Sequence, residues 1–292
     1  MTQQDLEKQE QAARIRRRVF QIEQLSAMPQ VASQLLAALQ DEMVEVAEVV
    51  GIIESDPALA SRLLSLANSA YYGFAQQIST VRRAVVAIGF EELRYLSMSV
   101  GLADMFDPAR APKSLDASAL WAHCVAVSWL AREMAEKARF PAPGEVMVAG
   151  LLHDLGKLVL ATYFTADFER LVRLTESGTP YYQAEDELGL EHTVVGHWLA
   201  RRWNLPAVLS VTVRDHHNTG PDPEFSQAVC LVQAADEAAK ELGFGLDQEA
   251  YPLDRAKYLA RAGLSAQTAL AVQKEGEKRI PALLEYWRDG LA

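Results

Sequence analysis

Apolar side chains recur along most of the chain at the spacing of one face of an α-helix. In the first hundred residues this spacing links Val31, Leu35, Leu36 and Leu39, and then Val46, Val49, Val50 and Ile53. The strict alternation that is typical of β-strands is hard to find. The pattern predicts an all-α protein, with about five helices in the first hundred residues.

Short polar residues mark two helix starts in this region. Asp56 stands directly before Pro57, and Ser79-Thr80 precede the segment VRRAVVAI. Both are typical of helix N-caps, so helices should begin at residues 57 and 81. Residues 68–73 combine short polar side chains with a glycine, which favours a structural helix end over a contact with a ligand or partner.

The segment from 107 to 116 contains two prolines and few large apolar side chains. It predicts a linker between two lobes, which we place at residues 21–106 and 117–219. Residues 1–20 form a separate N-terminal helical extension in this interpretation. Helical periodicity returns after the linker and continues beyond residue 219, so the second lobe should be a helix bundle.

Composition limits the function classes. The chain has 292 residues, of which 50% are apolar and 23% charged, and this excludes collagen-like and wholly disordered chains. Its net charge of −11 repels phosphate backbones and disfavours nucleic acid as a partner. The dense basic cluster Arg14, Arg16, Arg17 and Arg18 fits a solvated face or an acidic partner equally well, and nucleic acid less well.

Two cysteines, Cys124 and Cys230, form no CxxC pair, which is typical of proteins in a reducing cytoplasm. The first twenty residues are polar and charged, so we expect no signal peptide. The apolar runs are interrupted by charge short of the roughly 20 residues that span a bilayer. These features predict a cytoplasmic protein that is not embedded in a membrane.

All six histidines lie between residues 123 and 217. His153 and Asp154 are adjacent on a predicted helix, where their side chains diverge by about 100° but can still lean toward one ion. Imidazole and carboxylate together suit Zn, Fe or Mn. His192, His216, His217 and Asp236 are further candidates, whereas His197 should face away from His192. The alternative is a hydrogen-bonded polar cluster that holds no metal.

The segment LLHDLGKLVL resembles the His-Asp helix of the HD superfamily of metal-dependent phosphohydrolases. The order of the polar residues resembles the ligand set of its HD-GYP branch, which hydrolyses cyclic di-GMP at a centre of two or three metals. The resemblance implies one or two divalent ions, Fe, Mn or Zn, held by His123, His153, Asp154, His192, His216, His217 and Asp236. Lys157 would either contact a phosphate or neutralise its acidic surroundings.

The chain departs from that branch after His216-His217. The sequence continues NTGPDPEF and has no Gly-Tyr-Pro motif at this point. We therefore expect no hydrolysis of cyclic di-GMP at ordinary enzyme rates.

Three segments of the first lobe are similar to the HDOD domain, a relative of HD domains: SAMPQVASQLLAAL, SDPALASRLLSLANSAYYGF and ISTVRRAVVAIGFEELRYLSMS. This resemblance implies a two-lobed all-α fold, with an HDOD domain over residues 21–219 and an HD-like second lobe completed by 220–292. It also implies a signal-transduction output module that binds another signalling protein. A metal-dependent phosphohydrolase and an iron-based redox or gas sensor remain alternatives, and the oligomeric state is open.

Overall fold

The computed structural model describes residues 3–22, 30–40, 43–68, 72–74, 76–89, 97, 102, 104–106, 111–246 and 251–290. Helices and turns account for these residues, and no strand occurs among them, which confirms the all-α prediction. Parts of the predicted first-lobe pattern, residues 69–71 and 90–96, and of the predicted linker, 107–110, lie outside the described residues.

The chain divides into two compact units. The small unit comprises residues 27–107 and 275–292, and the large unit comprises residues 1–26 and 108–274. Four helices build the first part of the small unit: α2 (Gln30–Gln40), α3 (Val46–Glu54), α4 (Pro57–Ala67) and α5 (Val81–Ile88). Their apolar faces meet in a core that includes Leu35, Val49, Ile53 and Leu63, all fully buried.

Both predicted helix starts are confirmed in the small unit. The Asp56 carboxylate accepts hydrogen bonds from the backbone N–H groups of Ala58 (2.9 Å) and Leu59 (3.1 Å) at the start of α4. The Thr80 hydroxyl accepts one from Arg83 N–H (3.2 Å) at the start of α5. These bonds satisfy amide groups that a helix leaves unpaired at its first turn.

Asn68 fastens the end of α4 to the segment that follows. Its side-chain amide donates to the carbonyl oxygens of Leu64 (2.7 Å) and Ile78 (2.8 Å), while its oxygen accepts from Ile78 N–H (2.7 Å). Gly73 has φ +59°, a conformation that favours glycine. These contacts account for both residues by structure alone.

The large unit is a bundle of longer and more deeply buried helices. In chain order they are α1 (Gln3–Gln21), α6 (Ala117–Lys137), α7 (Pro143–Leu152), α8 (Leu155–Tyr163), α9 (Thr165–Glu176), α10 (Tyr181–Leu188), α11 (His192–Arg202), α12 (Ala207–Asp215), α13 (Ser226–Ala239) and α14 (Arg255–Ala262). A π-helical turn, Lys240–Phe244, follows α13, and α15 (Ala266–Gly290) continues from this unit into the residues of the small one.

Helix α6 lies at the middle of the large unit. It packs against both α7 and α13, and Leu120, Cys124 and Leu130 on it are fully buried. A helix that is apolar around much of its circumference must be enclosed in this way. Helix α8 packs on α11, α11 on α12, and α12 on α7. The same interior is therefore reached by α6, α11, α12, α13 and the junction of α7 with α8.

The crossing of α8 and α11 depends on glycine. A Cβ atom on Gly156 would lie 1.9 Å from the carbonyl oxygen of His192, which is backbone and cannot swing aside. Gly196 of α11 faces the same point, because a Cβ there would lie 3.3 Å from Gly156 N. The two backbones thus approach more closely than any side chain allows.

Helix α1, predicted as a separate extension, belongs to the large unit and packs on α11. Ile15 and Val19 are buried. Arg14 forms a 2.8 Å ion pair with Asp167, and the Arg18 guanidinium lies 5.1 Å from the centre of the Phe164 ring. Two arginines of the basic cluster therefore serve contacts within this unit.

One stretch of the described residues, Pro143–Tyr163, is long and apolar enough to cross a membrane by length and composition. The apolar window within it is 89% buried inside the large unit, as expected for a core element. His153 and Asp154 interrupt its helix at the middle.

Candidate metal centre

The chain breaks its helix at His153-Asp154. The prediction of one continuous helix through this pair is wrong: α7 ends at Leu152, and Asp154 leaves helical geometry with φ −100° and ψ 9°. A new helix then starts, with Lys157 N–H donating to the Asp154 carbonyl (2.9 Å). Because of the break the two side chains converge, and His153 Nε2 lies 3.3 Å from Asp154 Oδ2.

The structure brings all seven predicted ligands together in two adjacent groups. One group contains Asp154, His192, His216 and His217, and the other contains His123, His153 and Asp236. Within each group the donor atoms lie within 4.8 Å of one another. Helices α6, α11 and α13, the α7–α8 junction and the end of α12 each supply part of the set.

Asp154 belongs to the group with His192 but also lies close to the other group. Its Oδ1 lies 3.1 Å from His192 Nε2 and 3.6 Å from His216 Nε2. Its Oδ2 lies 3.3 Å from His153 Nε2 and 3.5 Å from His123 Nε2. One carboxylate thus presents one oxygen to each group, so Asp154 would help to hold an ion bound by either group.

Four imidazoles are oriented in the same way. Each makes a hydrogen bond through Nδ1 to an oxygen outside the groups: His123 to Phe244 O (3.0 Å), His153 to Gly150 O (2.7 Å), His216 to Val213 O (2.8 Å) and His192 to Glu185 Oε1 (2.7 Å). Carbonyl and carboxylate oxygens only accept, so Nδ1 carries the proton. The Nε2 atoms therefore face the interior, as they do in metal-ligating histidines.

The donor atoms of the two groups lie close together, and some of them lack a hydrogen-bond partner. His123 Nε2 and His153 Nε2 are 3.2 Å apart, although both rings already carry a proton on Nδ1. An additional proton or a cation must separate them. Asp154 Oδ1 and Asp236 Oδ1 face histidine Nε2 atoms at 3.1 Å and 3.2 Å. Both nitrogens of His217 are buried without a hydrogen-bond partner. Buried polar atoms rarely stay unpaired, so this donor set fits divalent transition-metal ions.

Two carboxyl groups stay ionised in this interior. Burial alone would raise the pKa of Asp154, but the charges of His153 and Lys157 hold that pKa well below its usual range. Burial likewise opposes ionisation of Asp236, yet Lys240 and His123 hold its pKa well below the usual value. Both groups are therefore negative at neutral pH and can attract a cation.

The three histidines in the group that contains Asp154 differ in protonation. Burial would lower the pKa of His192, but the charge of Glu185 and hydrogen bonds with Asp154 and Glu185 raise it to about 9. Burial lowers the pKa of His216 to about 3 against the opposing effect of Asp154. His217 also has a pKa well below its usual value, because of burial and the charges of His216 and His192. His216 and His217 are thus neutral at physiological pH.

Lys157 acts as a counter-charge in this structure. It is 1% exposed, and its Nζ donates to Asp154 Oδ2 at 2.7 Å. The same Nζ lies 5.3 Å from the centre of the Tyr181 ring. The geometry agrees with neutralisation of the acidic surroundings, one of the two roles predicted for this lysine.

The sequence did not identify Glu185 and Tyr251. Glu185 holds His192 through Oε1, and its Oε2 accepts a hydrogen bond from the Tyr251 hydroxyl (3.0 Å). One buried face of α10 carries Tyr181, Ala184, Glu185 and Leu188. The spacing of these residues marks a buried helix face, so the glutamate on it was recognisable from the sequence as a candidate site residue. Tyr251 lies flat on the His217 ring, with centroids 3.4 Å apart and planes at 8°. Nothing in its local sequence indicates that contact.

His197 lies outside both groups, as its position on the helix predicted. Its Nδ1 bonds to the Ser210 carbonyl (2.8 Å), which fixes it to the neighbouring helix α12.

Residues 25–219 match the model of the HDOD domain, and the chain belongs to the HDOD family. An HDOD domain protein of unknown function from Geobacter sulfurreducens is 31% identical, with a TM-score of 0.71 over 88% of each chain.

Two further solved structures share the fold at lower identity. A protein from Shewanella amazonensis, provisionally named a phosphohydrolase, is 22% identical, with a TM-score of 0.72 over 91% of this chain and 94% of that one. A provisionally named signal transduction protein from Marinobacter aquaeolei is also 22% identical, with a TM-score of 0.74 over 89% of this chain and 59% of that one.

An uncharacterized protein of Treponema pallidum is 29% identical over an alignment of 216 residues that covers 69% of this chain. The matched part is only 40% of that protein, so this chain spans less than half the length of its curated relative.

Proposed function

We propose that the protein is a metal-binding signalling module that acts by contacting another signalling protein. The main support for the metal site is the common orientation of four imidazoles. Each is hydrogen-bonded through Nδ1 to an oxygen outside the cluster and faces Asp154 through Nε2. One or two divalent ions, Fe, Mn or Zn, would be held by His123, His153, Asp154, His192, His216, His217 and Asp236. When bound, such ions supply Lewis acidity and can activate water.

Two features favour signalling over turnover of a substrate. Every ligand except His217 is between 0% and 3% exposed, which leaves little room for a substrate beside the ions. The loop after His217, Asn218 to Pro223, offers neither an aromatic face for a base nor a basic group for a phosphate.

The likeness to a provisionally named signal transduction protein agrees with a signalling role. The two cysteines are free, which is compatible with a cytoplasmic location.

Metal content tests the first part of this proposal. Protein purified without chelator should contain about one or two equivalents of Fe, Mn or Zn, and Asp154→Asn should lower that content sharply. Asp222→Asn, which removes the same charge from an exposed loop, should leave it unchanged. Absence of stoichiometric metal, even after reconstitution with each ion, would replace the metal centre with a hydrogen-bonded cluster.

The second candidate function is a metal-dependent phosphohydrolase. It is favoured by Asp154, which has one carboxylate oxygen beside each group of predicted ligands, and by Lys157 beside it. Metal-loaded protein should be assayed with cyclic di-GMP, and we expect no appreciable hydrolysis. Turnover at roughly 1 s⁻¹ or faster that disappears in Asp154→Asn would establish the enzyme instead.

A further inference from the structure

The centre has one edge that is less buried than the rest. Among its seven ligands His217 alone is partly exposed, whereas the other six have at most 3% of their surface accessible. The two ring nitrogens of His217 are nevertheless buried and lack a hydrogen-bond partner. Within the described residues, the edge at His217 is therefore the most exposed part of the centre.

Tyr251 covers this edge. Its ring stacks on His217 with the centroids 3.4 Å apart and the planes nearly parallel, which is van der Waals contact over the whole face. No planar group can be inserted between two rings at that distance.

Two contacts hold the tyrosine in place. Its hydroxyl donates to Glu185 Oε2 (3.0 Å), and the Lys240 ammonium lies 5.8 Å from the ring centre. The other oxygen of Glu185 holds His192, and Lys240 is ion-paired with Asp236 (2.9 Å). The tyrosine is thus fixed by groups that also position metal ligands.

We propose that Tyr251 is a specificity-determining residue that limits the size of ligands reaching the metal centre. In this proposal the ring excludes a phosphate ester or phosphonate with an organic group, but it does not exclude water or small anions such as azide. This inference rests on the proposed metal centre. It assigns the exclusion of larger ligands at this edge to one aromatic side chain, in addition to the burial of the other six ligands.

Ligand binding to the cobalt-loaded full-length protein tests the proposal, because cobalt absorption reports coordination without any need for catalysis. The probes are azide and phenylphosphonate, titrated separately. The wild-type spectrum should respond to azide and remain unchanged with phenylphosphonate. In Tyr251→Ala the affinity for phenylphosphonate should rise at least about tenfold, while the affinity for azide changes by less than about threefold.

Two further variants serve as controls. One tests the hydroxyl group of Tyr251 apart from its ring, and the other tests the loss of a neighbouring ring. Tyr251→Phe removes the bond to Glu185 but keeps the ring, so it should exclude phenylphosphonate as the wild type does. Tyr182→Ala removes a neighbouring ring whose centroid is 5.8 Å from that of Tyr251, and it should also behave as wild type. Loosening of the site as a whole would change both probes together.

A second measurement applies if Tyr251→Ala loads poorly with cobalt. In Tyr251→Leu, which retains apolar bulk over Glu185 and Lys240 but no flat ring, dipicolinate should extract cobalt at least about tenfold faster than from wild type. The proposal is overturned if wild-type protein binds phenylphosphonate, or if loaded Tyr251→Ala and Tyr251→Leu exclude it as wild type does. Failure of the wild-type protein to bind cobalt, iron, manganese or zinc would instead overturn the metal centre, and the proposal with it.

Discussion

His192 is an imidazole of the proposed metal centre that would have to lose a proton when a metal binds. Its pKa of about 9 makes it positively charged at neutral pH, whereas His216, with a pKa of about 3, is already neutral. A metal ligand needs a bare Nε2, so the ion must displace the proton from His192.

We therefore expect metal binding to release close to one proton per chain from His192 at pH 7.5. The release should fall toward zero as the pH rises through about 9, because the metal-free residue then loses its proton anyway. Apparent metal affinity should increase over the same range and then level off. Calorimetric titration in buffers of different ionisation enthalpy measures this proton count, and a release that is constant from pH 7 to 10 would contradict the assignment.

Glu185 is the carboxylate that orients His192 from behind. Glu185→Gln keeps the shape but removes the charge that raises the pKa of His192. At a pH above about 9, where His192 is neutral in both proteins, metal affinity should fall by about 10- to 100-fold, the usual effect of losing such a partner. Glu187→Gln makes the same change at an exposed site on the same helix and should leave competition titrations unaffected. Equal affinities for the two variants would exclude a supporting role for Glu185.

At the scale of the helices, the contact between α8 and α11 sets the position of His192. Gly156→Ala would place a methyl group where the His192 carbonyl now lies. Such overpacking costs about 1–3 kcal/mol and should lower the denaturant midpoint. Because the clash is with the backbone of His192, which is itself a predicted metal ligand, metal affinity should fall as well.

Gly220→Ala is the matched control for this crossing. Gly220 lies in a loop of the same unit, and a Cβ atom there meets nothing within 4 Å. The change should leave both stability and metal affinity near wild type. If Gly156→Ala behaved in the same way, the two helices would not be in the close contact described here.

The sequence was sufficient to predict the helices that begin with clear N-cap residues. It was also sufficient to predict the ligands, because their order along the chain resembles that of a known family. Asp56 and Thr80 act as N-caps through local contacts, so a local pattern was sufficient. The break at His153-Asp154 was missed because apolar residues continue on both sides of it. Tyr251 was missed for a different reason: its partners, His217 and Glu185, are distant in sequence, and only the folded chain brings them together.

At the scale of the whole molecule, the centre occupies the interior of one unit that has a large apolar core of its own. We expect the double variant His153→Gln with Asp154→Asn to lose its ions but to keep a helical circular dichroism spectrum and a cooperative unfolding transition. Small zinc modules unfold without metal because they lack such a core. Loss of the cooperative transition would make the ions structural.

The polar residues in the stretch Pro143–Tyr163 have a consequence during synthesis. A nascent chain presents this stretch before the helices that follow it exist, and its length and apolar character match those of segments that enter a bilayer. Asp154 and Lys157 fall near its middle, where each adds about 2.5–3.5 kcal/mol to the apparent free energy of insertion. The residues that gather around the centre in the folded protein thus also oppose recognition of its core segment by the membrane insertion machinery.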